Sequence, residues 1–308
     1  MSVLCCASLA VILGSCGPSV SINPPRYLPS LMHVARYAML SQAVGADVLP
    51  VSSRIKKKPS SQAEGQSASK PIAPYGQSPD DYVLTFSEEF DRFNSRLWND
   101  HIWYERSNPT KNYAVENGVL KIWPQRDASG QFFNRTLDTD GKYHQTYGYF
   151  EMEAKLPRGR GVWPAFWLFA HPGERRPEID IMEAYPAGEG WGFMDRTGTY
   201  HPNVYAATVW PGDGKTNPEG KAAGFVMYET HTDLSTGFHK YAVKWEPHKQ
   251  TFYFDGKPTM TVHVSMSDPM YIILDLWFGG ASGLPDDTTP QGKDNAFEVN
   301  YVRAWKFK

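Results

Sequence analysis

Cysteine is nearly missing from this chain: Cys5, Cys6 and Cys16 are the only three. Everything after residue 16 therefore forms no disulfide, offers no thiolate nucleophile and builds no Cys-ligated zinc site. The nine histidines are scattered with no HExxH spacing, so no catalytic metal is expected. No GxGxxG opens a helix and no P-loop is present, which removes the common nucleotide-binding designs. A basic excess is also lacking, since 31 Lys and Arg face 33 Asp and Glu. That balance excludes the electrostatic footprint of a nucleic-acid binder. The one basic run, RIKKK at 54–58, lies in a poorly patterned stretch and reads as solvated linker.

No apolar run is long enough to span a bilayer. The run VLCCASLAVIL at 3–13 has the length of a signal-peptide core. It ends in LGSC at 13–16, which resembles the bacterial lipoprotein box, with Cys16 as the lipidated residue. The opening MSV lacks the usual basic residue. The expectation is an exported protein, either secreted or held as a periplasmic lipoprotein, touching a membrane only through a lipid anchor. A candidate helix at 30–44 has no assigned role. Residues 51–80, rich in Ser, Pro, Gln and Lys, read as a flexible tether. The expected plan is a signal peptide over 1–16, a tether over 17–79 and a globular domain over 80–308.

Aromatic residues are plentiful, with Trp 10, Tyr 17 and Phe 16. Much of that belongs to a core, but such a surface also suits stacking on flat, neutral sugars. From about residue 81, short β-rich runs recur between Gly, Pro, Asn and Asp. They include YVLTFSEEF, GVLKIWP, GYFEMEAKL, PAFWLFA, EIDIMEAY, VYAATVW, HKYAVKWE, TFYFDG, PTMTVHV, YIILDLWF and FEVNYVRAWKF. Asp255-Gly256 between two such runs marks a hairpin. In HKYAVKWE, Tyr241, Val243 and Trp245 share a face predicted to be buried. Ten or more strands without helical periodicity predict one antiparallel sandwich, a β-jelly roll.

The stretch PEIDIMEAY, 177–185, poses a parity problem. Side chains alternate along a strand, so Glu178 and Asp180 share one face while Glu183 falls with the isoleucines. A buried, unpaired carboxylate is costly. A β-bulge around Met182 would return Glu183 to the face of the other two acids. The outer pair would then lie about 13 Å apart at Cα, at about 3.3 Å per step. Upstream, Trp163, Ala165 and Trp167 share a parity, so two indoles flank a small residue and leave a slot.

EIDIME matches the E-x-D-x-x-E signature of glycoside hydrolase family 16 in the bulged form that laminarinases, agarases and carrageenases carry. The resemblance extends over about residues 80–308, through ENGVLKI, YGYFEMEAKLPRGRGVWPAFWLFA, FHKYAVKWEPHKQTFYFDGKP, PMYIILDLWFGG and FEVNYVRAWKF. It implies a concanavalin A-like jelly roll with a cleft on the concave sheet, and hydrolysis of internal β-1,3 or mixed β-1,3/1,4 glucosidic bonds with retention. By position, Glu178 is similar to the nucleophile, Glu183 to the general acid/base, and Asp180 to the acid between them. Neighbouring carboxylates raise one another's pKa, so one keeps its proton and another stays ionised. Trp163 and Trp167 resemble cleft-lining residues; Tyr185 extends the same floor and Trp103 is a candidate for a more distant sugar.

Three positions depart from the family pattern. Pro177 replaces a Gly, Trp210 stands where many relatives have His (His201 lies nearby in sequence), and Asn300 replaces an Asp that helps hold a structural Ca²⁺. The last change counts against calcium, and no cofactor is required. The expected partner is a polysaccharide, bound by a monomer. The other readings are a hydrolase or transglycosylase of a bacterial exopolysaccharide or marine galactan, and a non-catalytic glucan-binding module. Arg158, Arg160, Arg175 and Arg176 are candidates to meet a charged chain.

Overall fold

A computed structural model of the chain describes residues 72–170, 176–186, 203–212, 221–279 and 282–308. Cys5, Cys6, Cys16, the candidate helix at 30–44, Arg175 and His201 lie outside them. Fourteen strands alternate with turns among the described residues: β1 (Tyr82–Glu88), β2 (Tyr113–Glu116), β3 (Val119–Ile122), β4 (Arg135–Asp138), β5 (Gly148–Lys155), β6 (Val162–Phe169), β7 (Glu178–Ala184), β8 (Val204–Trp210), β9 (Gly224–Glu229), β10 (His239–Glu246), β11 (Lys249–Phe254), β12 (Lys257–Val262), β13 (Tyr271–Phe278) and β14 (Phe297–Phe307). They form two antiparallel sheets packed as a jelly roll. One is ordered β12-β11-β10-β5-β14-β3-β2, with β1 also on β14. The other, ordered β4-β13-β6-β7-β8-β9, carries the acids.

The alternation predicted for β10 is present. Tyr241, Val243 and Trp245 are buried in the core, whereas Lys240 and Lys244 are half-buried on the outer face. Asp255 and Gly256 join β11 to β12 with φ of 46° and 76°, the positive pair that a tight hairpin of this hand requires. The acid-bearing sheet reads differently. Every residue of β7, β8 and β4 is buried: one face of this sheet joins the main core, and the other carries closely packed aromatic side chains, Trp163, Trp167, Tyr185 and Trp277 among them. Strands β2, β4 and β9 were not among the sequence candidates. For β4 the reason is clear: RTLD has no apolar alternation, and Arg135 is only 1% exposed. Its guanidinium donates to Asn112 Oδ1 (2.7 Å) and to the carbonyls of Asp100, Thr110 and Asn108 (2.8, 2.8 and 3.0 Å). A buried cation so fully partnered is tolerated. It ties the loop carrying Trp103 and Tyr104 to the sheet.

Residues 72–78, which composition assigns to the tether, lie against the outer face of the larger sheet. The Tyr75 N–H donates to Glu151 (3.0 Å), Trp305 Nε1 donates to the Ile72 carbonyl (2.8 Å), and the Lys240 ammonium sits 4.6 Å from the Tyr75 ring centre. Glu151 is buried there, and burial raises its pKa. A protein begun at residue 80 loses both hydrogen bonds. It is expected to be less stable by about 2 kcal/mol than one begun at residue 70, with a Tm lower by roughly 5 °C in a melting comparison.

At the position weighed for calcium, Asn300 Nδ2 donates to Glu153 Oε2 (3.0 Å) and Lys240 Nζ contacts Glu153 Oε1 (2.5 Å). An ammonium and an amide N–H already take both oxygens, so this donor set does not fit a divalent cation. Among the described residues, no group of three or more His, Cys, Asp or Glu is placed to hold a metal.

Candidate active site

The parity problem in β7 is resolved by a bulge. Against β6, Asp180 pairs with Trp167 and Met182 with Phe166, leaving Ile181 as the inserted residue, one position before the expected Met182. Against β8 the register jumps between Asp180–Thr208 and Glu183–Ala206. Ile179, the consecutive pair Ile181 and Met182, and Ala184 all join the inter-sheet core. Two apolar neighbours facing the same way are what the extra residue permits. Glu178, Asp180 and Glu183 thereby share the opposite, concave face, and Tyr185 follows them. Pro177 lies outside the strand, just after Arg176, whose φ is 48°.

Cross-strand register arranges this face into rows. One reads Asp275, Ala165, Glu183, Ala206, Met227; the next reads Ile273, Trp167, Asp180, Thr208; a third reads Tyr271, Phe169, Glu178, Trp210. Trp277 pairs with Trp163 beyond the first row. The predicted slot exists: Trp163, Ala165, Trp167, Asp180, Glu183, Asp275 and Trp277 line a recess large enough for about one water molecule. Trp277 stands edge-on to both flanking indoles, at 84° to Trp163 and 81° to Trp167. Gly161, with φ 76°, precedes β6; a Cβ there would lie 2.3 Å from Pro285 N, so only glycine lets the 282–285 loop close on this end of the strand.

Each of three indole N–H groups donates to one carboxyl. Trp163 Nε1 reaches Glu183 Oε1 (3.2 Å), Trp210 Nε1 reaches Asp180 Oδ2 (3.0 Å), and Trp167 Nε1 reaches Asp275 Oδ2 (2.9 Å). The Tyr185 hydroxyl adds a longer bond to Glu183 Oε1 (3.4 Å). Such bonds are what make buried acids tolerable in a mostly aromatic surround. Burial and the charges of Glu178 and Glu183 push the Asp180 carboxyl well above its ordinary range, and a hydrogen bond to Glu178 acts in the same direction. The shift favours the neutral form of Asp180, whose proton then lies in the hydrogen bond to Glu178. The geometry thus supplies a hydrogen-bonded pair, Glu178 and Asp180, and a third acid, Glu183, with one oxygen held by Trp163 and Tyr185.

Of the sequence-predicted residues, Glu178, Asp180, Glu183, Trp163, Trp167 and Tyr185 come together here. Trp103 sits apart, 41% exposed, edge-on to Tyr104 and 5.6 Å from the Arg176 guanidinium. Tyr104 in turn packs against the Trp163 and Trp167 clusters, so Trp103 belongs to the rim. Arg160 is bound to Asp286 (3.3 Å) and to the Leu284 carbonyl, in a loop role. Asp275, Trp277 and the Trp210–Asp180 contact were missed. A signal for the first was available: Asp275 is the one acid in YIILDLWF, a run otherwise wholly apolar.

Comparison with known proteins agrees with this geometry. Residues 101–303 match the family model described as Glycosyl hydrolases family 16. The chain is 32% identical over 218 residues to the endo-1,3-1,4-beta-glycanase EglC of Rhizobium meliloti, covering 68% of this chain and 42% of that protein. It is 29% identical over 258 residues to ExsH, an endo-1,3-1,4-beta-glycanase of the same organism, covering 72% and 51%. The chain thus spans about half the length of these two relatives. Among solved structures, the laminarinase catalytic domain of Thermotoga maritima superposes with a TM-score of 0.58 at 26% identity, covering 73% of this chain and 98% of that one. The endo-beta-1,3-glucanase of Pyrococcus furiosus does so at 0.58 and 27%, covering 74% and 95%. With a matched family model over most of its length and that family's fold, the chain belongs to glycosyl hydrolases family 16.

Proposed function

We propose that the protein is an exported endo-β-glycanase that cleaves internal β-1,3 or mixed β-1,3/1,4 glucosidic bonds by a retaining double displacement. The observation that carries this reading is the bulge at Ile181, which sets Glu178, Asp180 and Glu183 in line on the concave face beside an indole-walled recess. The printed activities of EglC and ExsH lend it support, and the apolar run at 3–13 followed by LGSC is the ground for export.

In this mechanism Glu178 attacks the anomeric carbon. Asp180, neutral and hydrogen-bonded to it, holds the carboxylate in line, with Trp210 N–H fixing Asp180 from behind. Glu183 protonates the departing glycosidic oxygen. Trp163 N–H and the Tyr185 hydroxyl both engage Glu183 Oε1, which fixes the orientation of the carboxyl. Glu183, then a carboxylate, takes a proton from water as the glycosyl ester is hydrolysed. The cleft aromatics provide the stacking surface for the chain.

The test is product release by the purified protein from laminarin, lichenan, agarose, carrageenan and a succinoglycan-type polymer. Oligosaccharides from laminarin or lichenan, with the β-anomer formed first by NMR, are expected. Release only from a galactan or the acidic polymer would move the assignment to that substrate. Tight glucan binding without release from any polymer would make this a binding module.

A further inference from the structure

Four carboxyl side chains face the concave surface along the three central strands β13, β6 and β7, and the mechanism above uses three. The fourth, Asp275 on β13, is 2% exposed and lines the recess. Its register is specific. Asp275, Ala165 and Glu183 lie side by side on adjacent strands, with the smallest side chain of β6 between the two acids. Two strand spacings put their Cα atoms about 10 Å apart, so side chains leaning inward leave room for a small polar group over the Ala165 methyl.

We propose that Asp275 is a specificity-determining residue, which takes one free hydroxyl of the sugar lying against Glu183 into the recess between Trp163 and Trp167. This rests on the glycanase reading above.

Three observations support it. First, Trp167 Nε1 holds Asp275 Oδ2 at 2.9 Å, so the carboxyl is oriented before any ligand arrives. Second, burial raises the Asp275 pKa well above the ordinary carboxylate range, against a lowering by the Trp167 bond and with the neighbouring acids acting in the same upward direction, which favours the neutral form. A neutral carboxyl both donates and accepts, which matches the double character of a sugar hydroxyl. Third, the recess is water-sized and walled by three indoles, Trp163, Trp167 and Trp277. A hydroxyl fits such a space; an O-methyl, O-acetyl or sulfate group at that position does not.

The experiment measures kcat, KM and the pH profile on laminarin, with Tm, for wild type, Asp275→Ala, Asp275→Asn and Ala165→Val. Asp275→Ala is expected to lose on the order of 10–100-fold in kcat/KM, the cost of an unmatched hydroxyl in a buried site. Asp275→Asn restores a donor and an acceptor without charge. It should recover to within about fivefold of wild type, with both limbs of the pH profile in place. Ala165→Val fills the recess while leaving the Asp275–Trp167 bond intact, and should show a loss like that of Asp275→Ala at an unchanged Tm. Wild-type kcat/KM in Ala165→Val, or an Asp275→Asn as impaired as Asp275→Ala, overturns the proposal. The Ala165→Val arm decides the matter even where Asp275→Ala fails to fold. A wild type that releases nothing from any β-glucan would refute the glycanase reading instead, so the two failures are told apart.

Discussion

Glu183→Gln is expected to fold as wild type does and to lose about 1,000-fold or more in kcat/KM on a β-glucan, and Glu178→Gln to lose at least as much. The amide is nearly isosteric. In the Glu183→Gln variant the side-chain carbonyl oxygen still accepts from Trp163 Nε1, so the indole keeps its partner. What is lost is a titratable proton. The two positions separate when the leaving group is varied. An aryl glycoside with an acidic phenol departs without protonation, so Glu183→Ala should form the glycosyl ester from it at close to the wild-type rate and then stall. Added azide, which needs no general base, should release that ester as the β-glycosyl azide. Glu178→Ala with azide should instead give the α-azide, because only one displacement remains. Equal products from the two variants would sink the assignment of roles.

How much of this was open to sequence reading depends on which contacts decide each feature. The hairpin at Asp255-Gly256 and the faces of β10 follow from local rules, and both were legible. So was the bulge, because Glu183 has the wrong parity and three acids in six residues cannot all be core. The slot followed from Trp163, Ala165 and Trp167 sharing a face. The misses are of a different kind. β8 and β13 are buried on both faces almost throughout, so hydrophobic alternation in them carries no information about which side of the sheet meets the cleft. Asp275 becomes a site residue only through its non-local pairing with Ala165, 110 positions away in sequence. Trp210 was noticed as a substitution, but its function as donor to Asp180 depends on the β7–β8 register. The strap at 72–78, IAPYGQS, has no strand or helix periodicity, and its stability comes from Glu151 and Trp305, which no window around it contains.

Asp180→Asn is expected to raise stability at neutral and alkaline pH while abolishing most activity, and the sign follows from linkage. The folded protein holds the Asp180 proton well above the ordinary carboxylate range, chiefly through burial and secondly through the charge of Glu178. The unfolded chain releases it near the usual value of about 3.9. Below that pH both states are protonated and the group contributes nothing to pH dependence. As pH rises above it, the unfolded state loses a proton that the folded state retains, so wild-type stability falls by about 1.4 kcal/mol per pH unit until the folded group also ionises. An amide removes this slope. Its oxygen still accepts from Trp210 Nε1 and its N–H₂ still donates to Glu178, so the local hydrogen bonds survive. Wild type and Asp180→Asn should therefore melt together near pH 3, and the variant should melt several degrees higher at pH 7. A constant difference across that range would mean that Asp180 is ionised in the fold, and that some other group orients Glu178.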